Sequence, residues 1–139
     1  AIWEISVETG MRRGELLKVL WDDLDIAARQ LTIRDTKNGE DRTIPLTTRA
    51  ATILQTLPLT DDCIFPISPV AVRMAWDRMI KRAGIVGLRF HDLRHEAVSR
   101  FFELGLSVPE VALISGHKNP VVLLRYTHLR AQDLVAKLG

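Results

Sequence analysis

Apolar positions along this chain change period, and the changes mark its elements. Residues 2–7 read as the end of a helix, broken by Thr9-Gly10. Leu16, Leu17 and Leu20 then recur at helical spacing, which predicts a helix over 12–20. In QLTIRDTKNGEDRTIPL the period becomes two. Leu31 and Ile33 alternate with polar residues, and Asn38-Gly39 is a strong hairpin turn. The pattern predicts antiparallel strands over 30–35 and 41–46, with a short third strand at 24–26.

Beyond Pro45 the period returns to that of a helix. Thr47 is placed to cap a helix reaching about residue 57, and LPLTDDCIFPIS reads as a loop. Ser68 followed by Pro69 is a cap and a first-turn proline, predicting a helix to about residue 83. Residues 91–104 form another helix, ended by Gly105, with Leu93, Ala97, Phe101 and Leu104 as its core stripe. Ser107, Pro109 and Glu110 start a short helix that stops at Gly116. Two further short helices are expected around 119–127 and 130–138. The fold class is α+β and mostly helical, one domain over 1–139, with a small antiparallel sheet near 24–46.

Composition adds bounds. With 139 residues, 47% of them hydrophobic, the chain can bury a real core. Apolar runs are short and broken by charge, so no membrane-spanning helix is expected. The opening AIWEISVETG has no basic segment or cleavage site of a signal peptide. It also lacks an initiator Met, and the chain is expected to be part of a longer protein. Cys63 is the single cysteine, consistent with a reducing cytoplasm. Net charge is only +2 but unevenly placed. Residues 1–72 carry 8 Lys and Arg against 11 Asp and Glu, and residues 73–139 carry 11 against 6. The basic half is a candidate face for a polyanion, or simply a solvated surface.

Candidate chemistry lies in five short stretches. HDLRHEAVSR places His91 and Arg94 three apart, on one helical face. His91 and His95 stand at i and i+4, but the zinc-protease pattern fails because Ser99 occupies the position of its second histidine. With no cysteine cluster or convergent carboxylates, a metal site is not expected. TGMRRGE sets Arg12 at a helix start, where N–H groups and the helix dipole favour an anion. Glu15, three residues on, can orient that arginine or merely pair with it at the surface. TKNG holds Lys37 at a hairpin tip, and SGHKNP projects His117 from a tight turn. LLRYTHL carries Tyr126, the only tyrosine, either a packed aromatic with a polar tip or a reactive phenol. Taken singly, each stretch also suits an ordinary surface.

In order and in context, TGMRRGELLKVLWDDLD, TKNGEDRTIPL, HDLRHE, LISGHKNP and LLRYTHL resemble the catalytic domain of tyrosine recombinases of the phage integrase family. The resemblance spans nearly the whole chain. It implies transesterification at a phosphodiester of double-stranded DNA, with Tyr126 as nucleophile and a 3′-phosphotyrosyl intermediate. Arg12 and Arg94 would clamp the non-bridging oxygens, and His117 would donate a further hydrogen bond. His91 would manage protons near the nucleophile, and Lys37 would protonate the leaving 5′-oxygen. No cofactor, ATP or metal is implied.

These residue types suit the chemistry. A phenol titrates near ~10, so a phenolate at neutral pH costs about 4 kcal/mol and needs a proton acceptor and nearby positive charge. Planar, permanently charged guanidinium groups match the oxygens of a phosphorane-like transition state.

The resemblance further implies a bacterial, cytoplasmic and nucleoid-associated protein. It would work as a homo-oligomer, a tetramer in the synaptic complex, with an N-terminal DNA clamp domain outside this chain. The C-terminal 131–138 would dock on a neighbouring subunit or pack back on its own domain. Phage or mobile-element integration is the leading reading. Chromosome-dimer resolution, type IB topoisomerase-like relaxation, a non-catalytic DNA-binding regulator and a metal-dependent nuclease are the alternatives. Two departures from the family pattern stand out. Ser115 precedes the Gly-His where leucine is commoner, a change expected to be tolerated. Glu96 follows HDLRH and must point away from a phosphate or pair, for instance with Arg100.

Overall fold

A computed structural model describes residues 1–34 and 40–139. The expected α+β architecture is present. Helices α1 (Ile2–Thr9), α2 (Arg13–Lys18), α3 (Thr48–Gln55), α4 (Pro69–Ala83), α5 (Asp92–Glu103), α6 (Val108–Ser115) and α7 (Ala131–Leu138) surround a three-stranded antiparallel sheet. The sheet runs β1 (Leu24–Asp25), β2 (Gln30–Ile33) and β3 (Arg42–Pro45) in sequence order. Leu31 pairs with Ile44, so both point into the core. The Asn38-Gly39 turn and Lys37 lie outside the described residues.

Local signals explain most boundaries. Thr47, Ser68 and Ser107 each accept a bond from the backbone N–H three residues on, satisfying an amide that the helix start leaves free. Gly10, Gly84 and Gly116 close α1, α4 and α6 in left-handed conformations. Some features differ from the sequence reading: α3 ends at Gln55, and β1 and β3 are shorter than expected. α2 stops at Lys18, because Val19 and Leu20 turn extended and Leu20 bridges to Cys63. The expected loop over 57–68 is thereby tethered, with Trp21 N–H bonded to the Asp62 carbonyl at 3.0 Å. Residues 120–126 form a 3₁₀ helix rather than an α-helix, opened by Pro120.

The core joins every layer except α4 and α7. Ile5 of α1, Leu16 of α2, Leu31 and Ile44 of the sheet, Leu54 of α3, Val98 of α5, Val111 of α6 and Leu123 are all essentially inaccessible. Burying each contributes about 1.5–3 kcal/mol. Trp3, Trp76 and Phe90 form an edge-to-face trio with centroids 5.3–5.6 Å apart, fastening α4 and the approach to α5 onto α1. The core stripe of α5 is shifted from expectation. Arg94, Ala97, Val98 and Phe101 are buried, whereas Leu104 caps the helix and is 70% exposed. The helix ends one residue before Leu104 could complete the stripe.

Candidate active site

The α1–α2 break makes the first wall. Gly10 adopts φ 68°, which turns its carbonyl toward α5, and Arg94 Nη1 donates to that oxygen at 2.6 Å. Arg94 is 4% exposed and makes no ion pair among the described residues. A cation so placed is costly unless an anion completes its shell. Burial first, then the charge of Arg12, lowers its pKa to about 10, so it remains cationic at neutral pH.

Arg12 stands in the extended conformation at the start of α2, its side chain 47% exposed. Arg12, Arg13, Arg89, His91 and Arg94 line a cleft of about 330 Å³ with Met11 and Phe90. The expected sharing of one face by His91 and Arg94 therefore holds at the cleft, although His91 is exposed and Arg94 buried. Such a cleft attracts an anion through fixed guanidinium charge.

His117 follows Gly116, the left-handed cap of α6. Arg94 Nη2 lies 3.4 Å from its Nδ1, and Ser115 Oγ lies 2.6 Å from the same nitrogen. A guanidinium only donates, so Nδ1 accepts and the ring proton sits on Nε2, free to donate outward. Burial, followed by Arg94 and Arg12, depresses the His117 pKa to about 4, so the ring is neutral at pH 7. The serine that departs from the family pattern thus orients the histidine.

Arg42 was not anticipated from the sequence. It leaves β3 and places Nη1 and Nη2 on the two Glu15 oxygens at 2.5 and 3.0 Å, while Nε donates to the Ile114 carbonyl at 3.1 Å. Glu15 in turn accepts the Arg12 backbone N–H at 2.8 Å, with Arg12 Nη1 3.7 Å from its other oxygen. Burial pushes the Glu15 carboxyl up. The Arg42 fork, the Arg12 amide and both positive charges outweigh it and hold the pKa below the ordinary value. One arginine therefore braces the arginine motif, the strand leaving the hairpin and the His117 turn. The packing is close: a Cβ on Gly116 would lie 2.8 Å from the Arg42 guanidinium, and Gly116 has φ 76°. A strand signal existed, since Arg42 lies two residues from buried Ile44 and so shares its face.

The tyrosine comes from the 3₁₀ helix Pro120–Tyr126. In that helix residues three apart eclipse, so fully buried Leu123 carries Tyr126 inward on the same face. The Tyr126 ring stacks between His95 and Phe102, centroids 6.2 and 6.3 Å away. Its hydroxyl lies 2.5 Å from His95 Nδ1 and accepts from Arg125 Nη2 at 3.0 Å. The ring beside the hydroxyl is thus His95, whereas His91 meets His95 edge-on at 4.9 Å. His95, Val98 and Phe102 sit at i, i+3 and i+7, which places His95 beside the α5 surface that packs on Tyr126. Burial first, then His95 and the arginines, lowers the His91 pKa.

The other departure, Glu96, is exposed, and Arg100 pairs instead with Glu8 of α1 at 3.6 Å. Among the described residues no three His, Cys, Asp or Glu groups gather as a metal site. No helix among them is long and apolar enough to cross a membrane.

The family model of the phage integrase family matches residues 1–133. Relatives include a shufflon-specific DNA recombinase of Escherichia coli, 45% identical over 99% of this chain and 36% of the relative. Tyrosine recombinase XerA of Saccharolobus solfataricus is 32% identical over 96% of this chain and 46% of that protein. Among solved structures, the catalytic domain of bacteriophage HP1 integrase superposes with a TM-score of 0.78 at 22% identity, covering 99% of this chain and 80% of that one. The mostly helical α+β fold with its small antiparallel sheet matches that of tyrosine recombinase catalytic domains. The chain belongs to the phage integrase family. It spans less than half the length of these two relatives.

Proposed function

We propose that the protein carrying this chain is a site-specific DNA recombinase that breaks and rejoins DNA through Tyr126. Family membership supports the reaction class, and three observations support the assignment to residues: Arg12 and Arg94 line one cleft, His117 contacts Arg94, and Tyr126 lies close enough to interact electrostatically with Arg94.

Tyr126 Oη attacks phosphorus, and the bond from phosphorus to the 5′-oxygen breaks. The product is a 3′-phosphotyrosyl ester and a free 5′-hydroxyl, which can later reverse the step on the same or another strand. Ester energy is conserved, so no nucleotide cofactor is needed. Arg12 and Arg94 neutralise the non-bridging oxygens in a site where water is excluded behind Arg94, and His117 Nε2 donates to them. Loss of one such donor costs about 10²–10³ in rate. Glu15 positions Arg12. Lys37 protonates the leaving oxygen, and His91 lines the cleft beside Arg12 and Arg94. Positive charge comes from guanidinium groups, so the reaction proceeds without a divalent cation.

The partner is double-stranded DNA, and a phage or other mobile element is the source that the family and the shufflon-specific relative favour. Strand exchange requires further copies of the protein, a tetramer at two sites, in the bacterial cytoplasm. The isolated 1–139 chain holds few phosphate contacts, so its DNA affinity is weak and falls steeply with salt. The test uses the natural full-length protein with nicked duplexes tiling the DNA that flanks its gene, in EDTA. A denaturation-resistant protein–DNA adduct on one tile is expected. Absence of an adduct on every tile, or an adduct that requires Mg²⁺, overturns the reading.

A further inference from the structure

We infer that His95, rather than His91, takes the proton from the Tyr126 hydroxyl. This rests on the proposed DNA cleavage reaction. Three observations converge on the hydroxyl. His95 Nδ1 lies within hydrogen-bond distance of it. Arg125 Nη2 donates to the same oxygen, and a guanidinium has no acceptor with which to receive a proton. With one lone pair taken by Arg125, the hydroxyl proton is directed to the imidazole nitrogen. The Arg125 guanidinium also lies 5.0 Å from the Tyr126 ring centre, where its charge favours a developing phenolate.

The ring geometry holds the pair together. Tyr126 and His95 are near parallel at 24°, and Phe102 backs the tyrosine from one helical turn pair further along α5, at 16°. Buried Leu123 fixes the 3₁₀ helix that delivers the tyrosine. His91 makes no hydrogen bond to Tyr126 among the described residues and contacts His95 edge-on. Its place in the arginine-lined cleft suits a contact with the phosphate side.

The step balances as follows. As the bond from Oη to phosphorus forms, the hydroxyl proton passes to His95 Nδ1. The bond from phosphorus to the 5′-oxygen breaks, and that oxygen takes its proton from Lys37. In the reverse step the imidazolium returns its proton to the departing tyrosine oxygen. General-base assistance of this kind contributes about 10²–10⁴-fold.

The discriminating experiment compares an ordinary phosphodiester with a 5′-bridging phosphorothiolate, whose thiolate leaving group needs no proton. Both are placed at the cleavage position of the tile on which the full-length wild type forms an adduct, so failure of the cleavage reading registers first in the wild type. Lys37→Ala is expected to lose rate on the oxygen ester and regain it on the sulfur ester. His95→Gln is expected to lose at least 100-fold on both alike, with DNA binding unchanged. Recovery of His95→Gln by the sulfur ester, or a rate within threefold of wild type, overturns the inference. Should His95→Gln fail to fold, ¹⁵N NMR of the histidine rings decides. Tyr126→Phe must shift the His95 Nδ1 resonance through loss of its hydrogen bond, and an unmoved resonance overturns the assignment.

Discussion

The cleft and the tyrosine are built in opposite ways. Arg12, Arg94 and His117 are fixed by groups that reach across the whole fold: Gly10 from α1, Glu15 from α2, Arg42 from β3 and Ser115 from α6. Tyr126 depends on a seven-residue 3₁₀ helix with one fully buried side chain, Leu123, and on a stack with His95 and Phe102. The following α7 buries nothing. Charge stabilisation is most effective when donors are preorganised, and a deep arginine satisfies that demand. A nucleophile has the further task of meeting and leaving phosphorus, which a lightly anchored segment permits. On the proposed reaction, the molecule thus joins a heavily braced anion site to a nucleophile anchored by few contacts.

The sharpest break in this contrast is Arg94→Ala. It should slow adduct formation about 10²–10³-fold while Tyr126 stays in place; timed quench of the adduct measures this. Arg94→Lys should recover little, because a point charge cannot replace the fork that reaches both Gly10 and His117. Arg42→Ala comes next. It touches no reacting atom, yet it strands the Glu15 carboxylate, and it should cost about 3 kcal/mol of stability in a denaturant titration. It should also weaken cleavage more than tenfold through Arg12 and His117. An unchanged midpoint would mean that the brace is not structural.

A milder probe is pH. The folded chain holds His117 neutral down to about 4, whereas an unfolded histidine takes its proton near 6.5. The unfolded state thus binds more protons in that window, and stability should fall as pH drops from 6.5 toward 4. Lowered pKa values at His91 and Glu15 act in the same direction, the latter below the ordinary carboxylate value. Thermal melts at stepped pH check this, and His117→Gln should flatten the slope. The smallest effect is expected at the other pole. Leu138 is 88% exposed, so Leu138→Ser should change monomer stability by less than about 0.5 kcal/mol. A larger loss would show that α7 packs on the domain in solution.

Signals confined to a few neighbouring residues were legible in the sequence. The Thr47, Ser68 and Ser107 caps, the Gly10 and Gly116 stops and the period-two strands all correspond to observed features. Of the residues that the ordered motifs named, Arg12, His91 and Arg94 line the cleft and His117 contacts Arg94, while Lys37 lies outside the described residues. What escaped reading were pairings between distant residues. Arg42 meets Glu15 and Ile114 from 27 and 72 positions away, and His95 meets Tyr126 from 31. No local period encodes such a partner, although face-sharing with Ile44 and with Phe102 pointed to inward placement. The end of α5 before Leu104 and the 3₁₀ form of 120–126 likewise follow from tertiary packing and Pro120 rather than from apolar spacing.

The central claim is that Tyr126 forms the covalent bond to DNA while the braced cleft holds the phosphate. Its most direct test is peptide mapping by mass spectrometry of the adduct trapped on a nicked duplex. The account predicts a nucleotide esterified through its 3′-phosphate to the peptide containing Tyr126, with the adduct absent in Tyr126→Phe. A nucleotide on any other residue, or a linkage through a 5′-phosphate, would contradict it.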